Sequence, residues 1–355
     1  MNGHPNIRGR GTASNDAGRF ERFATVAADD GWDRDEDLPP LRTEVRDEVA
    51  RSLITYNRSP DLPFDRSINP YRGCEHGCVY CFARPTHAYL GLSAGLDFET
   101  RLIARPNAPE ILRHELCAKA YRVAPIALGT NTDPYQPIEK SRLITRSCLE
   151  VLNSFNHPAA IVTKGALIER DLEILSDMAR RGLVRVGVSL TTLDADLSRR
   201  MEPRAPSPAR RLHMIRNLTQ AGIPVRVMTS PVVPGLTDHE LEQLLEAGRD
   251  AGADAASWIM LRLPREVSQL WQEWLATHEP ARAEKVMSQL REMHGGREYD
   301  PRWGHRMRGE GEYAQMIAKR FKLAVKRLGL DTHSEPLRCD LFTKPPQAGD
   351  QLSLF

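Results

Sequence analysis

Cys74, Cys78 and Cys81 fall within eight consecutive positions of a 355-residue chain that holds six cysteines. Thiolate is the metal-binding form of cysteine. In a reducing compartment a tight cysteine group serves a metal or redox centre rather than a disulfide staple. Spacings of four and three residues do not converge three thiols on one face of a helix, so a loop wrapped around the metal is expected, with Gly73 and Gly77 supplying its turns. Two chemistries fit. A structural zinc site fills four positions, and His76 or His87 would complete three cysteines with one histidine. A 4Fe-4S cluster on three thiolates leaves one iron open, and an open position is where a small molecule binds.

The elements that must carry this loop follow from periodicity. Six strand-like runs, at about residues 66–72, 124–130, 159–163, 184–190, 224–230 and 256–263, alternate with amphipathic helical stretches. That alternation predicts repeated βα units and a parallel sheet, doubly wound or curved into a partly closed barrel. Gly182 and Gly222 sit where helices need a left-handed cap, and Thr237 with Glu240 has capping-box spacing. The expected organisation is a polar, weakly ordered extension over 1–50, an α/β core over 51–265, a helical region over 266–335, and a flexible tail over 336–355.

Composition narrows the setting. A hydrophobic fraction of 41% beside 27% charged residues is that of a globular protein. No apolar run reaches the roughly 18 residues of a membrane span, and the Arg-rich N-terminus lacks a signal-like apolar stretch. The reading is a cytoplasmic protein with no membrane partner, and a disulfide-rich secreted scaffold is excluded. Cys117, Cys148 and Cys339 read as small buried hydrophobes. A net charge of +2 says nothing about nucleic acid.

The loop CEHGCVYC resembles the CxxxCxxC signature of the radical S-adenosylmethionine (SAM) superfamily, with the aromatic Tyr80 just before the third cysteine. Together with "LGTNTDPYQPIE", "IVTKGALIERD", "SLTTLD", "MEPRAPSPARRL" and "AGIPVRVMTSPVVPGLTD", it is similar to the spore photoproduct lyase-related branch. Within that branch the whole chain resembles an uncharacterised bacterial group, down to the N-terminal RGRGTASN. The resemblance implies a partial (β/α)6 barrel of the TIM-like, radical SAM type. It implies that Cys74, Cys78 and Cys81 bind three irons of a 4Fe-4S cluster while SAM chelates the fourth. It also places Tyr80 near adenine, Gly129, Thr130, Asn131, Thr132 and Asp133 at the amino group, Ser189 and Thr191 at the ribose or carboxylate, and Val233 and Gly235 near adenine. The implied chemistry is reductive cleavage of SAM by an external electron donor, giving a 5′-deoxyadenosyl radical that abstracts a substrate hydrogen. A partial barrel has a lateral opening through which a large substrate would present one group.

One departure is plain. Where spore photoproduct lyase positions a cysteine hydrogen donor, this chain reads YRVAPIALGTNTDPYQPIE, without cysteine. Thymine-dimer repair is therefore not carried over as such, and Tyr135 is the candidate donor. The basic stretches at 197–217 and 318–330 fit either phosphate contacts or solvated helix faces. QLSLF at 351–355 is similar to the pentapeptide that docks bacterial repair proteins into the sliding clamp. The expected substrate is nucleic acid, in DNA repair or base modification. A protein or small-molecule substrate is the alternative, and a non-catalytic zinc module on DNA is the rival from another class.

Overall fold

The structure is a computed structural model describing residues 9–21, 41–333 and 335–346. Residues 1–8 and 22–40 of the expected N-terminal extension, and QLSLF, lie outside the described residues.

Six parallel strands form the frame: β1 (Arg66–Ile68), β2 (Ile126–Leu128), β3 (Ala159–Thr163), β4 (Val184–Ser189), β5 (Val225–Val232) and β6 (Ala255–Met260). They lie side by side in chain order, each paired in parallel with the next. Thr55–Tyr56 adds an antiparallel edge to β1. β6 and the β1 edge stand at opposite ends of the sheet, so it is a partial barrel and not a closed one. The run expected over 66–72 breaks in two. Pro70 offers no N–H to the ladder, and Tyr71–Arg72 leaves the main sheet to pair with Arg101–Ala104.

The helices α1 (Ala108–Cys117), α2 (Ile144–Ser154), α3 (Leu172–Arg180), α4 (Pro208–Gln220) and α5 (Leu241–Asp250) fill the crossovers. Each turns an apolar stripe inward; Cys148, Leu149 and Leu152 of α2 are fully buried. Gly182 and Gly222 adopt φ of 70° and 76° just beyond α3 and α4, the left-handed turn that glycine makes without a Cβ penalty. The expected capping box does not form. Thr237 Oγ1 instead accepts the Val233 N–H at 3.0 Å, while Glu240 is drawn to the loop after β4 by the Thr192 hydroxyl and the Leu193 N–H.

Three further helices, α6 (Glu266–His278), α7 (Pro280–Met293) and α8 (Gly311–Leu328), flank the barrel. α6 stacks Trp271 on Trp274 with centroids 4.9 Å apart, and α8 lies on α5 through the Arg320–Glu242 pair.

Two expectations drawn from composition need correction. The N-terminal extension is not loose throughout: Glu44–Asp47 pairs in parallel with Arg101–Ala104, and Arg10, Thr12 and Ser14 are buried. Residues 336–346 are docked rather than free, because Phe342 packs its ring against Tyr121, Phe155 and His157 while the Thr343 N–H reaches Phe155 O. The lateral opening is also crossed. Asp61, in the loop between Thr55–Tyr56 and β1, accepts the Gly304 N–H at 2.7 Å and pairs with Arg306 at 2.5 Å. The same segment accepts the Met260 N–H of β6 through Met307 O. A clasp thus joins the two ends of the open sheet.

Candidate active site

The cysteine loop begins where Tyr71–Arg72 ends. Gly73 and Gly77 adopt φ of 77° and 68°, and a Cβ on Gly73 would lie 2.7 Å from Leu102. The Cys74 N–H bonds Phe98 O at 2.9 Å, and Val79 N–H bonds Met201 O at 3.0 Å. Gln136 grips the loop from β2's side, accepting the Glu75 N–H and donating to Gly73 O. Arg84, wholly buried, donates to the carbonyls of Gly77 and Cys78.

Cys74, Cys78 and Cys81 line one cavity of about 190 Å3 at the carboxyl ends of the strands, where open α/β folds place ligands. One zinc would draw three thiolates to roughly 3.8 Å apart, given Zn–S bonds of about 2.3 Å in a tetrahedron, and would need a fourth ligand to close the site. The histidines are also engaged elsewhere. His76 Nδ1 faces Asp133 Oδ2 at 3.3 Å, and His87 Nε2 bonds Arg101 O at 3.0 Å. Burial pushes the Cys74 and Cys78 thiols up, so thiolates at these positions would need a bound metal to stabilise them.

The GTNTD turn after β2 supplies the facing wall: Gly129, Thr130, Asn131, Thr132 and Asp133 all line the cavity. Gly129 sits at φ 88°, and a Cβ there would lie 1.9 Å from Val162 O, so glycine alone fits. Thr132 Oγ1 donates to Tyr71 O at 3.2 Å. Asp133 accepts from Thr163 Oγ1 at 2.6 Å and from the Lys164 and Tyr135 N–H groups. Burial works to raise its carboxyl, but His76 and these donors outweigh burial and hold it at about 2.

Of the other expected residues, Tyr80 and Ser189 line the cavity, while Thr191, Val233, Gly235 and Tyr135 do not. Thr191 lies one step behind Tyr80, its hydroxyl 3.2 Å from the phenol oxygen. Both meet the buried Glu202 carboxylate, which also pairs with Arg211. β5 runs to Val232, two residues beyond its expected end, so Ser230 and Pro231 occupy the wall in place of Val233 and Gly235. Tyr135 is buried with its hydroxyl donating to Asp171 at 3.1 Å, and burial with that carboxylate keeps the phenol protonated well beyond neutral pH.

Among the lining residues not singled out in advance are Lys164, Phe82 and Arg262. Lys164 follows β3 directly, its Nζ 3.9 Å from Glu202 and 5.8 Å from the Tyr80 ring centre. A lysine at the carboxyl end of an apolar strand was the available signal. Phe82, 45% exposed, opens the cavity to solvent. The Arg262 guanidinium lies 4.9 Å from the centre of its ring and donates to Tyr299. Arg262 Nε is buried without an acceptor among the described residues. Much of the first basic stretch is committed to ion pairs, Arg200–Glu279, Arg204–Glu75, Arg210–Glu169 and Arg211–Glu202, and Arg320 of the second pairs with Glu242.

An open parallel barrel that gathers three thiols at the carboxyl ends of its strands, facing a polar turn and a lysine, defines an iron–sulfur enzyme of the partial-barrel class. The chain belongs to the radical SAM superfamily, whose family model matches residues 68–248, and its cofactors are the 4Fe-4S cluster and SAM that this family uses. It is 36% identical to an uncharacterized protein of Mycobacterium tuberculosis over 81% of this chain and 82% of that one. An uncharacterized protein of Methanocaldococcus jannaschii is 26% identical over 56% of this chain and 71% of its own. Spore photoproduct lyase complexed with dinucleoside spore photoproduct has the same fold, with TM-score 0.55 at 15% identity over 81% of this chain and 80% of that one. A variant of that lyase with AdoMet and the dinucleoside bound gives a TM-score of 0.56 at the same identity and coverage.

Proposed function

We propose that this enzyme abstracts a hydrogen atom from a nucleic-acid substrate, in lesion reversal or base modification. Cys74, Cys78 and Cys81 would hold the cluster, and the GTNTD turn and Lys164 would hold the amino and carboxylate groups of SAM, beside the Tyr80 ring. When bound, these cofactors supply one-electron cleavage of a sulfonium and a hydrogen-abstracting centre. The residues around them exclude water and fix the target C–H bond: Val162, Met228, Ile259, Met260 and Leu261 make the remaining wall apolar.

The observation carrying the substrate class is the pairing at the cavity mouth. Phe82 exposes a ring on which a base can stack, and the Arg262 guanidinium beside it supplies a positive charge for a phosphate. The fold shared with a lyase that holds a dinucleoside supports the same reading. Thiol hydrogen donation is not carried over, since the thiols lining the cavity are the three of the cluster loop.

The test is deuterium transfer. Anaerobically reconstituted, reduced enzyme is given SAM with deuterated DNA, RNA or a cell extract depleted of nucleic acid. Deuterium appearing in 5′-deoxyadenosine from DNA or RNA, and lost in Cys78→Ala, is expected; transfer from the depleted extract alone overturns the nucleic-acid assignment.

A further inference from the structure

We propose that the N-terminal segment through Gly9–Ser14 is a strap built into the iron–sulfur site, fixing the cysteine loop from the side away from the cavity. The inference rests on that loop holding the cluster. Its node is the Arg84–Glu99 pair, 2.5 Å apart with both side chains fully buried. On one side, Arg84 donates to Gly77 O at 3.2 Å and Cys78 O at 2.9 Å, the carbonyls between the first two ligands and at the second. On the other, the Glu99 carboxylate accepts the Gly11 N–H at 2.9 Å, the Thr12 N–H at 3.2 Å and the Thr12 hydroxyl at 3.1 Å. Without the strap, a buried carboxylate would keep one partner where it now has four, a costly state for a charge removed from water.

Steric contact tightens the connection. A Cβ on Gly11 would lie 1.7 Å from Gly77 O, so the strap's backbone touches the loop's backbone at a residue the loop needs at φ 68°. Further along, Ser14 O accepts the Leu96 N–H, and a Cβ on Gly95 would lie 2.2 Å from that oxygen. Arg10 donates to Glu99 O and to Leu41 O, and the Thr43 hydroxyl donates to Glu75 inside the loop. None of Gly11, Thr12, Gly77 and Glu99 lines the cavity. Their role is positional. A loop with two glycines in left-handed turns loses much backbone entropy on ordering, and contacts behind metal ligands typically change metal affinity by about 10–100-fold.

The experiment loads wild type, Gly11→Ala and Thr12→Val with the cluster anaerobically and follows iron release to a ferrous chelator, with the thermal midpoint of each apo protein as a folding control. Gly11→Ala is expected to release iron at least about tenfold faster. Thr12→Val, which keeps shape and backbone while removing one donor to Glu99, should fall between it and wild type. Coupling is reciprocal, so amide exchange over residues 9–21 of the wild type must slow when the cluster is loaded. Iron release from Thr12→Val and from any folded Gly11→Ala at the wild-type rate overturns the proposal, as does strap exchange indifferent to loading. A protein that takes up zinc and no cluster refutes the cluster reading along with it. A loaded cluster with an indifferent strap refutes the strap alone.

Discussion

Glu202→Gln should destabilise this protein more than any exposed charge substitution. Glu202 is fully buried, and its carboxylate takes the Arg211 guanidinium, the Tyr80 phenol and the Thr191 hydroxyl, with Lys164 Nζ 3.9 Å away. Arg211 is 1% exposed, and its remaining acceptors are the neutral carbonyls of Pro206 at 2.8 Å and Ser189 at 3.1 Å. The glutamine keeps the volume but leaves a buried cation without a counter-charge, which costs about 3–5 kcal/mol. An exposed pair such as Arg249–Asp250, with side chains 47% and 61% accessible, contributes less than about 1 kcal/mol. Urea unfolding of the purified protein should therefore show a large fall in midpoint for Glu202→Gln and almost none for Asp250→Asn, at unchanged slope. The double variant Glu202→Leu with Arg211→Met should recover most of the loss, because exchanging both partners for apolar groups removes the orphaned charge. A Glu202→Gln protein within about 1 kcal/mol of wild type, or a double variant no better than the single one, would refute the reasoning.

His157 gives a pH dependence with a definite sign. Burial holds its folded-state pKa at about 4, against an ordinary 6.5, so between those values the unfolded chain binds the additional proton. Stability is complete above pH 6.5 and falls as pH drops towards 4, by up to about 3 kcal/mol. Urea titrations at pH 7 and 5 should show this slope flattened in His157→Gln; an unchanged slope assigns it to other groups. For the terminal QLSLF, deleting residues 351–355 should abolish binding of the purified protein to a bacterial sliding clamp, and undiminished binding rules the motif out.

The cysteine loop and its place on the cavity wall were legible in the sequence because their signal is local: three thiols and two turn-forming glycines within nine positions, Gly73 to Cys81. The GTNTD wall was legible through resemblance, and its glycine has a steric reason visible only in three dimensions, the approach of Val162 O. Val233 and Gly235 missed the cavity because strand ends are poorly marked where apolar residues continue, as they do through PVV after Ser230. The role of the N-terminal segment was illegible for a different reason. Gly11 and Thr12 find their partner Glu99 nearly ninety positions away, and a Gly- and Arg-rich stretch looks solvated until that partner is known. The arginines of 197–217 looked like a phosphate surface for the same reason: Glu169 and Glu279, which bind two of them, lie outside that stretch.

The clasp of Asp61 on Gly304 and Arg306 has a consequence for how a polymer could be served. With the barrel's flank bridged among the described residues, a long chain would meet the cavity from the strand ends, where Phe82 and Arg262 line it. A duplex would have to extrude a single nucleotide into the cavity while its helix stayed outside, at a cost of a few kcal/mol in lost stacking and pairing. Damaged, mismatched or single-stranded positions pay least of that cost, so on the nucleic-acid reading proposed above this architecture would favour bases already loosened from their neighbours.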